Sequence, residues 1–478
     1  MSESTVSAFE RRRKPGDRVF RVPRVEPWRV LIPEKHEKRA TQPSLRILVY
    51  GFAAMIALGT LLLMLPFSSE SGGATPFVDA LFTATSSVCV TGLVVVDTLD
   101  HWSFFGELVI LVLIQFGGFG YMTITTLFLI ALGRKIGLRE RLLVGESIGL
   151  SRVREVSKLI RNLFLFAMGA EALGAAIFYI RFSADYEKGA AIWKSVFQSV
   201  SAFNNAGFDI FGGFRSITGY HDSLLVVLTT AGLVVIGGLG YLVIQDVFRT
   251  RRPDWFSIDT KMVLSVSALL LISGMVIILA TEYANPSTLG VMSISDKVLN
   301  AFFHSVTPRT AGFNTISVAD MNDYALFFTM ILMFIGGASG STAGGIKVGT
   351  FGLVFTTMWS AIRGKEHPGA FGREFMTSQI FRALALVMLS IGVVAVVVFL
   401  LNITEDFEFL RILFESVSAF GTVGLSTGIT PDLSITGRLI IIVTMFIGRL
   451  GPLTLTLALV RAQSVSMYRY PREIVRIG

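Results

Sequence analysis

A single cysteine, Cys89, stands in 478 residues. That excludes an intramolecular disulfide and any cysteine-built metal cluster. Charge is scarce too: Asp, Glu, Lys and Arg make up 16% of the chain, against about 25% in a soluble domain. The five histidines are scattered, and no nucleophile constellation, metal-ligand cluster or nucleotide motif accompanies them, so an enzyme is not expected. A glycine-rich run precedes Lys347, but it lacks the adjacent Gly-Lys-[Ser/Thr] of a phosphate-binding loop. Residues 1–45 are polar and basic without an apolar core, so they do not read as a cleavable signal peptide. A net charge of +8 would suit a nucleic acid, yet basic loops on one side of a membrane account for it, and no nucleic-acid partner is expected.

What is abundant is apolar surface: 52% of residues are hydrophobic and the mean hydropathy is +0.65. An all-α polytopic membrane protein is the expected class. Crossing a hydrocarbon core of about 30 Å takes roughly 20 residues of helix. Eight stretches qualify: 46–66, 103–132, 158–182, 221–248, 261–282, 324–359, 378–402 and 435–461. Between the members of each pair lies a shorter apolar run, at 77–88, 192–203, 295–307 and 408–420. Such runs span about half a bilayer as helix. The unit is therefore helix, half-helix, glycine segment, helix, four times over. The resulting division is 1–45 as a basic tail, 46–132 as the first unit, and 133–248 as a linker with the second. A linker with the third follows at 249–360, a linker with the fourth at 361–461, and a tail at 462–478.

Charge gives a topology. Arg11, Arg12, Arg13, Lys14, Lys35, Lys38 and Arg39 precede the first unit. Arg134, Lys135, Arg139, Arg141, Arg152 and Arg154 follow it; Arg249, Arg251 and Arg252 follow the second. Arg363, Lys365 and Arg373 follow the third, and Arg469, Arg472 and Arg476 lie in the tail. All fall on one side if each unit crosses twice. Segment 67–102, on the other side, has Glu70, Asp79, Asp97 and Asp100 but no Lys or Arg. The positive-inside rule then expects both termini in the cytoplasm of a multi-pass cell-membrane protein.

The glycine segments are Val90-Thr91-Gly92, Asn205-Ala206-Gly207, Thr310-Ala311-Gly312 and Thr422-Val423-Gly424. Their glycines are 115, 105 and 112 residues apart, and Phe82, Phe197, Phe302 and Phe414 each stand ten residues ahead. Two of the runs read FQSVSAF and FESVSAF. In the third unit Phe303 suggests a nine-residue register instead. Irregular backbone survives at membrane depth only where protein buries it or it lines water. Four such segments on one axis would present rings of carbonyl oxygens that replace the hydration shell of a monovalent cation. The half-helices would add their negative C-terminal dipole ends, and Thr91 and Thr422 would add hydroxyls.

Glycines recur again at Gly117-Gly118-Phe119-Gly120, Gly237-Gly238-Leu239-Gly240, Gly336-Gly337 and Gly448 with Gly451. They are expected to admit close helix packing and to widen a cavity below the filter. The sixth span breaks at 336–345, where Gly336, Gly337, Gly340, Ser341, Thr342, Gly344 and Gly345 leave little helix propensity; each Gly costs about 1 kcal/mol against Ala. Arg449 is an ionisable group within an apolar helix, expected to face a cavity or a partner. Lys347 sits nearer the basic side, placed for snorkelling or for gating. His304 and Glu415 are expected to pack or meet water at the outer mouth, and Glu171 to hydrogen-bond a neighbouring element. Cys89 is expected to be reachable by an external thiol reagent.

These residues together resemble the Ktr/Trk/HKT superfamily of potassium transporters over about 46–465. The resemblance rests on Thr91-Gly92-Leu93, Asn204-Asn205-Ala206-Gly207-Phe208, the run Thr307 to Asn314, and Gly421-Thr422-Val423-Gly424-Leu425. Gly340-Ser341-Thr342-Ala343-Gly344-Gly345-Ile346-Lys347 and Gly448-Arg449-Leu450-Gly451-Pro452 add to it. Eight spans without an extra pair are most similar to the KtrB-type subunit. The resemblance implies a potassium-translocating homodimer, one pore per subunit, in membrane lipid. It implies a cytosolic RCK-type ring of the KtrA kind below, with ATP or ADP on that partner and no cofactor in this chain. Sodium is a candidate activator. Loop 336–345 with Lys347 and Arg449 would gate the pore. A serine at the first filter position accompanies sodium transport in the superfamily, so Gly92 favours potassium. The competing class is a cation-coupled secondary transporter, but those commonly use two inverted repeats.

Overall fold

The computed structural model describes residues 45–120, 156–365 and 367–451. Both tails, the linker at 121–155, the far ends of the spans expected at 103–132 and 435–461, and Pro452 lie outside the described residues.

Four incoming helices are α1 (Leu45–Leu63), α4 (Val156–Phe182), α8 (Ile258–Glu282) and α12 (Thr377–Thr404). Four pore helices follow them: α2 (Phe77–Cys89), α5 (Lys188–Phe203), α9 (Ile294–Val306) and α13 (Phe409–Gly421). The outgoing limbs are α3 (Phe104–Phe119), α6 (Leu224–Leu239) with α7 (Tyr241–Thr250), α10 (Asp323–Phe334) with α11 (Val348–Ile362), and α14 (Ile435–Leu450). A two-stranded hairpin, Gly369–Ala370 with Arg373–Glu374, is the β structure among the described residues. Serine hydroxyls start many of these helices by accepting otherwise orphaned amides. Ser103 takes Gly106 N–H at 3.4 Å, Ser257 takes Thr260 N–H at 3.1 Å, and Ser434 takes Gly437 N–H at 3.1 Å.

The expected pore runs match the observed helices closely, except that α5 begins four residues early, at Lys188. The spans differ more. Among the described residues three helices are long and apolar enough to cross a membrane: Ile160–Phe182, Ile258–Glu282 and Thr377–Thr404. The bent pair α6 and α7 is a fourth if counted as one span, and it turns by 90° at Gly240. Unbroken outgoing spans are therefore a misreading of continuous hydropathy; glycine interrupts the helix without interrupting the apolar run.

Polarity is inverted relative to a water-soluble fold. The buried faces carry Thr83, Thr85, Ser86 and Ser87 on α2 and Ser416 and Ser418 on α13. The outer faces expose Leu61, Leu173, Ile272 and Met388. An apolar outer belt suits lipid, and hydroxyls inside satisfy the backbone by bonding the preceding turn, as Ser87 does to Thr83 O at 2.7 Å.

The four units form a closed ring. Trp193 of the second donates to Glu107 of the first at 2.5 Å. Asn300 of the third donates to His221 O of the second at 3.0 Å. Phe334 and Phe420 stack between the third and fourth with centroids 6.0 Å apart. Arg438 of the fourth pairs with Asp79 of the first at 2.5 Å, which closes the circle.

Candidate functional site: a four-segment pore and the loop beneath it

Each pore helix ends in the same way. Phe82, Phe197, Phe303 and Phe414 are buried, and four residues after each stands a hydroxyl: Ser86, Ser201, Thr307 and Ser418. The carbonyls of these four accept the N–H of the residue before each glycine. Thr91 N donates to Ser86 O at 2.8 Å, Ala206 N to Ser201 O at 2.8 Å, Ala311 N to Thr307 O at 2.9 Å and Val423 N to Ser418 O at 2.9 Å. The hydroxyls brace the far side of the turn. Ser86 accepts Gly92 N–H at 3.1 Å and Ser418 accepts Gly424 N–H at 3.2 Å. Ser201 donates to Phe208 O at 2.6 Å and Thr307 to Phe313 O at 2.5 Å. Sequence reasoning missed these braces, although Phe followed four residues later by Ser or Thr was there to find. Phe303 rather than Phe302 is the buried counterpart in the third unit, so the nine-residue register holds there. The buried Phe and the hydroxyl both sit one residue nearer the glycine.

Beyond the helices the backbone repeats residue by residue. Val90, Asn205, Thr310 and Thr422 all take positive φ, at 56°, 58°, 67° and 50°. Two residues on, Gly92, Gly207, Gly312 and Gly424 do so again, at 90°, 73°, 78° and 92°. The residue between is not in that region. Alternating handedness turns successive peptide groups toward one side. A β-branched residue at positive φ is strained, and Val90, Thr310 and Thr422 accept that strain in a fully packed surround.

The four segments meet. A Cβ on Gly92 would lie 2.5 Å from Ala206 O; one on Gly207, 2.9 Å from Ala311 O; one on Gly312, 2.5 Å from Val423 O. One on Gly424 would overlap Thr91 O. The order runs first to second to third to fourth and back to the first. Glycine is required because each segment's α-carbon faces its neighbour's carbonyl. The Thr91 and Thr422 hydroxyls are buried and have no hydrogen-bond partner among the described residues. The pore-helix C-termini, with their partial negative charge, end at this ring.

The second set of glycines gives the close helix packing expected of it at three positions. A Cβ on Gly117 would overlap Val88 O, one on Gly237 would overlap Phe203 O, and one on Gly448 would overlap Phe420 O. These glycines let each outgoing helix lie against the end of its own pore helix. The limbs then break together. Gly120, Gly240 and Gly451 share one backbone conformation, with φ 74°, 75° and 80° and ψ 139°, 147° and 133°. The break expected only in the third unit is thus common to the units; what sets the third apart is its length.

There α10 stops at Phe334 and α11 starts at Val348. Ile335 and Ile346 pair as a parallel bridge at the neck of the loop. The loop is pinned to the second unit, Ala338 N donating to Gly238 O at 2.8 Å and Thr342 N to Gly237 O at 3.5 Å. It presses on the ring from below. A Cβ on Gly344 would overlap the Thr422 hydroxyl, and one on Gly336 would lie 3.4 Å from the Thr310 methyl. Gly337 faces Gly238 O at 2.6 Å on the same basis, Gly340 passes Gly240, and Gly345, at φ 62°, lies over Gly421. Ser341 donates its hydroxyl to Ala338 O at 2.7 Å.

Arg449 reaches this loop. Its guanidinium donates to Thr342 O of the third unit and to Gly117 O of the first. It faces a partner and does not snorkel. Lys347 does not snorkel: its ammonium folds back onto Ala343 O and Gly344 O of its own loop. His304 is fully buried, 3.2 Å from the Thr329 hydroxyl, and Glu415 is buried under Ser426 and Thr430. Neither meets water at a mouth. Cys89 has no exposed surface, which overturns its expected accessibility; it closes the last turn of α2 against the core. Glu171 does bond neighbouring elements.

Comparison with known proteins agrees with this geometry. The sequence profile of TrkH, described as cation transport protein, matches residues 29–468. The chain is similar to the Ktr system potassium uptake protein B of Bacillus subtilis, at 42% identity over 92% of this chain and 97% of that protein. It is similar to the potassium/sodium uptake protein NtpJ of Enterococcus hirae, at 39% identity over 94% of this chain and 100% of that protein. The Ktr system potassium uptake protein B of Vibrio alginolyticus is 38% identical over 94% of this chain and 98% of that protein. Among solved structures, the potassium transporter TrkH from Vibrio parahaemolyticus shares the fold. Its TM-score is 0.67 at 19% identity, covering 89% of this chain and 86% of that one.

Proposed function

The chain belongs to the TrkH family of cation transport proteins, as a KtrB-type subunit of the Ktr/Trk superfamily, and from that premise we propose that it takes up potassium through a gated pore. It is a membrane transporter and not an enzyme. The observation that carries the reading is the closed ring of four glycines, each against the neighbouring segment's carbonyl. Carbonyl oxygens arranged round an axis exchange for the water shell of a cation at small cost. The alternating φ turns successive carbonyls the same way. The pore-helix C-termini lower the energy of a cation without any acidic side chain in the path. One axis shared by four like units fits a pore; a coupled carrier built on two inverted repeats fits it poorly.

Loop 336–345 is the gate in this proposal. It lies against Thr310 and Thr422 and is held by Arg449. A guanidinium at that level also repels a permeating cation. Withdrawing the loop breaks the Arg449 bond to Thr342 O and frees the underside of the ring. In this proposal both termini face the cytoplasm, a second copy pairs with the chain in the membrane, and an RCK-type ring carrying ATP or ADP docks below and biases the loop. The relatives named as Ktr system proteins support a multi-subunit assembly, and the one named for potassium and sodium supports testing sodium as an activator.

The test is rescue of a potassium-uptake-deficient bacterium at low potassium, with and without the regulatory subunit, followed by potassium flux into vesicles. Growth and saturable flux are expected. Expression in the membrane with neither would overturn the reading, and flux strictly tied to a sodium or proton gradient would replace it with symport.

A further inference from the structure

The pore reading leaves a buried carboxyl beside the second filter segment unused. Glu171 lies within α4, 3% exposed. Among the described residues no Lys, Arg or His forms an ion pair with it. A carboxyl in an apolar helix is costly unless its oxygens are bonded, and a leucine would fill the same space without that cost. Glu171 is bonded on both sides of a seam. It accepts from Gln115 Nε2 on α3 of the first unit at 3.0 and 3.3 Å. It also accepts from Asn204 Nδ2 at 3.0 Å. Its own backbone carbonyl takes the Ser199 hydroxyl of α5 at 2.6 Å.

Asn204 is the residue that ends α5, immediately before Asn205 of the second filter segment. Its amide also reaches Gln115 Oε1 at 3.0 Å. Its Oδ1 has no donor and lies directly on Gly118. Asn205 points the other way: its amide donates to Arg309 O at 3.1 Å and to the Thr310 hydroxyl at 3.4 Å in the third unit. Two adjacent asparagines thus tie the second filter segment backward to the first unit, through Glu171 and Gln115, and forward to the third. The other filter segments carry Val90, Thr310 or Thr422 where this one has Asn205.

We propose that Glu171 is a positioning residue that, through Gln115 and Asn204, sets where the second filter segment stands in the ring and so tunes preference for potassium over sodium. The proposal rests on the pore reading. A carbonyl ring discriminates two cations by ligand number and spacing, so displacing one of four walls changes preference before it changes throughput.

The experiment uses the full chain, purified and reconstituted in vesicles, with potassium uptake measured against increasing sodium. Glu171→Leu is expected to reduce the potassium-over-sodium preference about tenfold, the effect of about 1.4 kcal/mol. The change falls on the half-saturation constants more than on the maximal rate. Glu171→Gln keeps an acceptor oxygen for both amides and holds the preference within about twofold. If Glu171→Leu does not fold, Gln115→Leu is read in the same way. A folded Glu171→Leu with wild-type preference overturns the proposal, as does a loss of rate in both variants with preference unchanged. Absence of potassium uptake by the wild-type chain overturns the pore reading itself, which separates the two failures.

Discussion

The upper and lower halves of the proposed pore are built on opposite principles. In the ring of glycines the four units are interchangeable: the same two positive φ positions, the same bond from a Ser or Thr carbonyl, the same approach of each α-carbon to the next carbonyl. Below the ring the units diverge. The third opens into a loop from Ile335 to Lys347, where the other described limbs end a helix at a single glycine of like conformation. Arg449 of the fourth unit crosses to the third and the first. Selecting an ion requires equal walls, because unequal ones spread the ligand distances. Opening and closing a path requires one element that moves while the rest hold still. The loop is suited to that, since it is not helical and Ala338 and Thr342 bond carbonyls of the second unit, Gly238 O and Gly237 O.

The sharpest way to break the upper half is Gly424→Ala. Strain at φ 92° and overlap with Thr91 O together cost about 3 kcal/mol or more. Potassium uptake in the deficient strain is expected to fall by roughly a hundredfold with protein still in the membrane. Gly448→Val tests whether the second glycines serve packing. It forces α14 off Phe420 O, and lower yield with a melting temperature down by several degrees is expected; a wider, faster pore would contradict the close-packing role. In the lower half, Arg449→Gln removes the charge and loosens the loop. Uptake without the regulatory subunit is expected to rise about tenfold, from the loss of roughly 1.4 kcal/mol of closed-state bonding. Unchanged flux would sink it. Asp79→Asn probes the seam shared by both halves. The Arg438 pair is mostly buried, with side chains 20% and 17% exposed, so about 2 kcal/mol of stability is expected to go, between the surface and buried limits. Calorimetry of the detergent-solubilised protein reads this. The smallest effect expected is none: an external charged thiol reagent leaves wild type and Cys89→Ser equally active, because Cys89 is enclosed.

The incoming and pore helices were legible because their signals are local. Length and apolarity marked Ile258–Glu282 and Thr377–Thr404, and the Phe-led runs marked all four pore helices within a few residues. The outgoing limbs were misjudged because Gly120, Gly240 and Gly451 break a helix while leaving the hydropathy continuous. The same averaging hid the braces at Ser86, Ser201, Thr307 and Ser418: one hydroxyl among many in an apolar run carries no periodic signal. Cys89 was misplaced, and snorkelling wrongly allowed for Lys347, because accessibility belongs to the packing of distant segments.

By itself the sequence determined the class of protein, the count of four units and the identity of the glycines at their centre. Hydropathy and spacing are properties of neighbours along the chain. Only the tertiary structure decided that Gly424 faces Thr91, that Arg438 joins Asp79, that Arg449 reaches Thr342 and Gly117, and that Glu171 stands behind Asn204. Those pairs lie far apart in the chain. What brings them together is the closure of four units on one axis, where each segment's conformation is completed by the next.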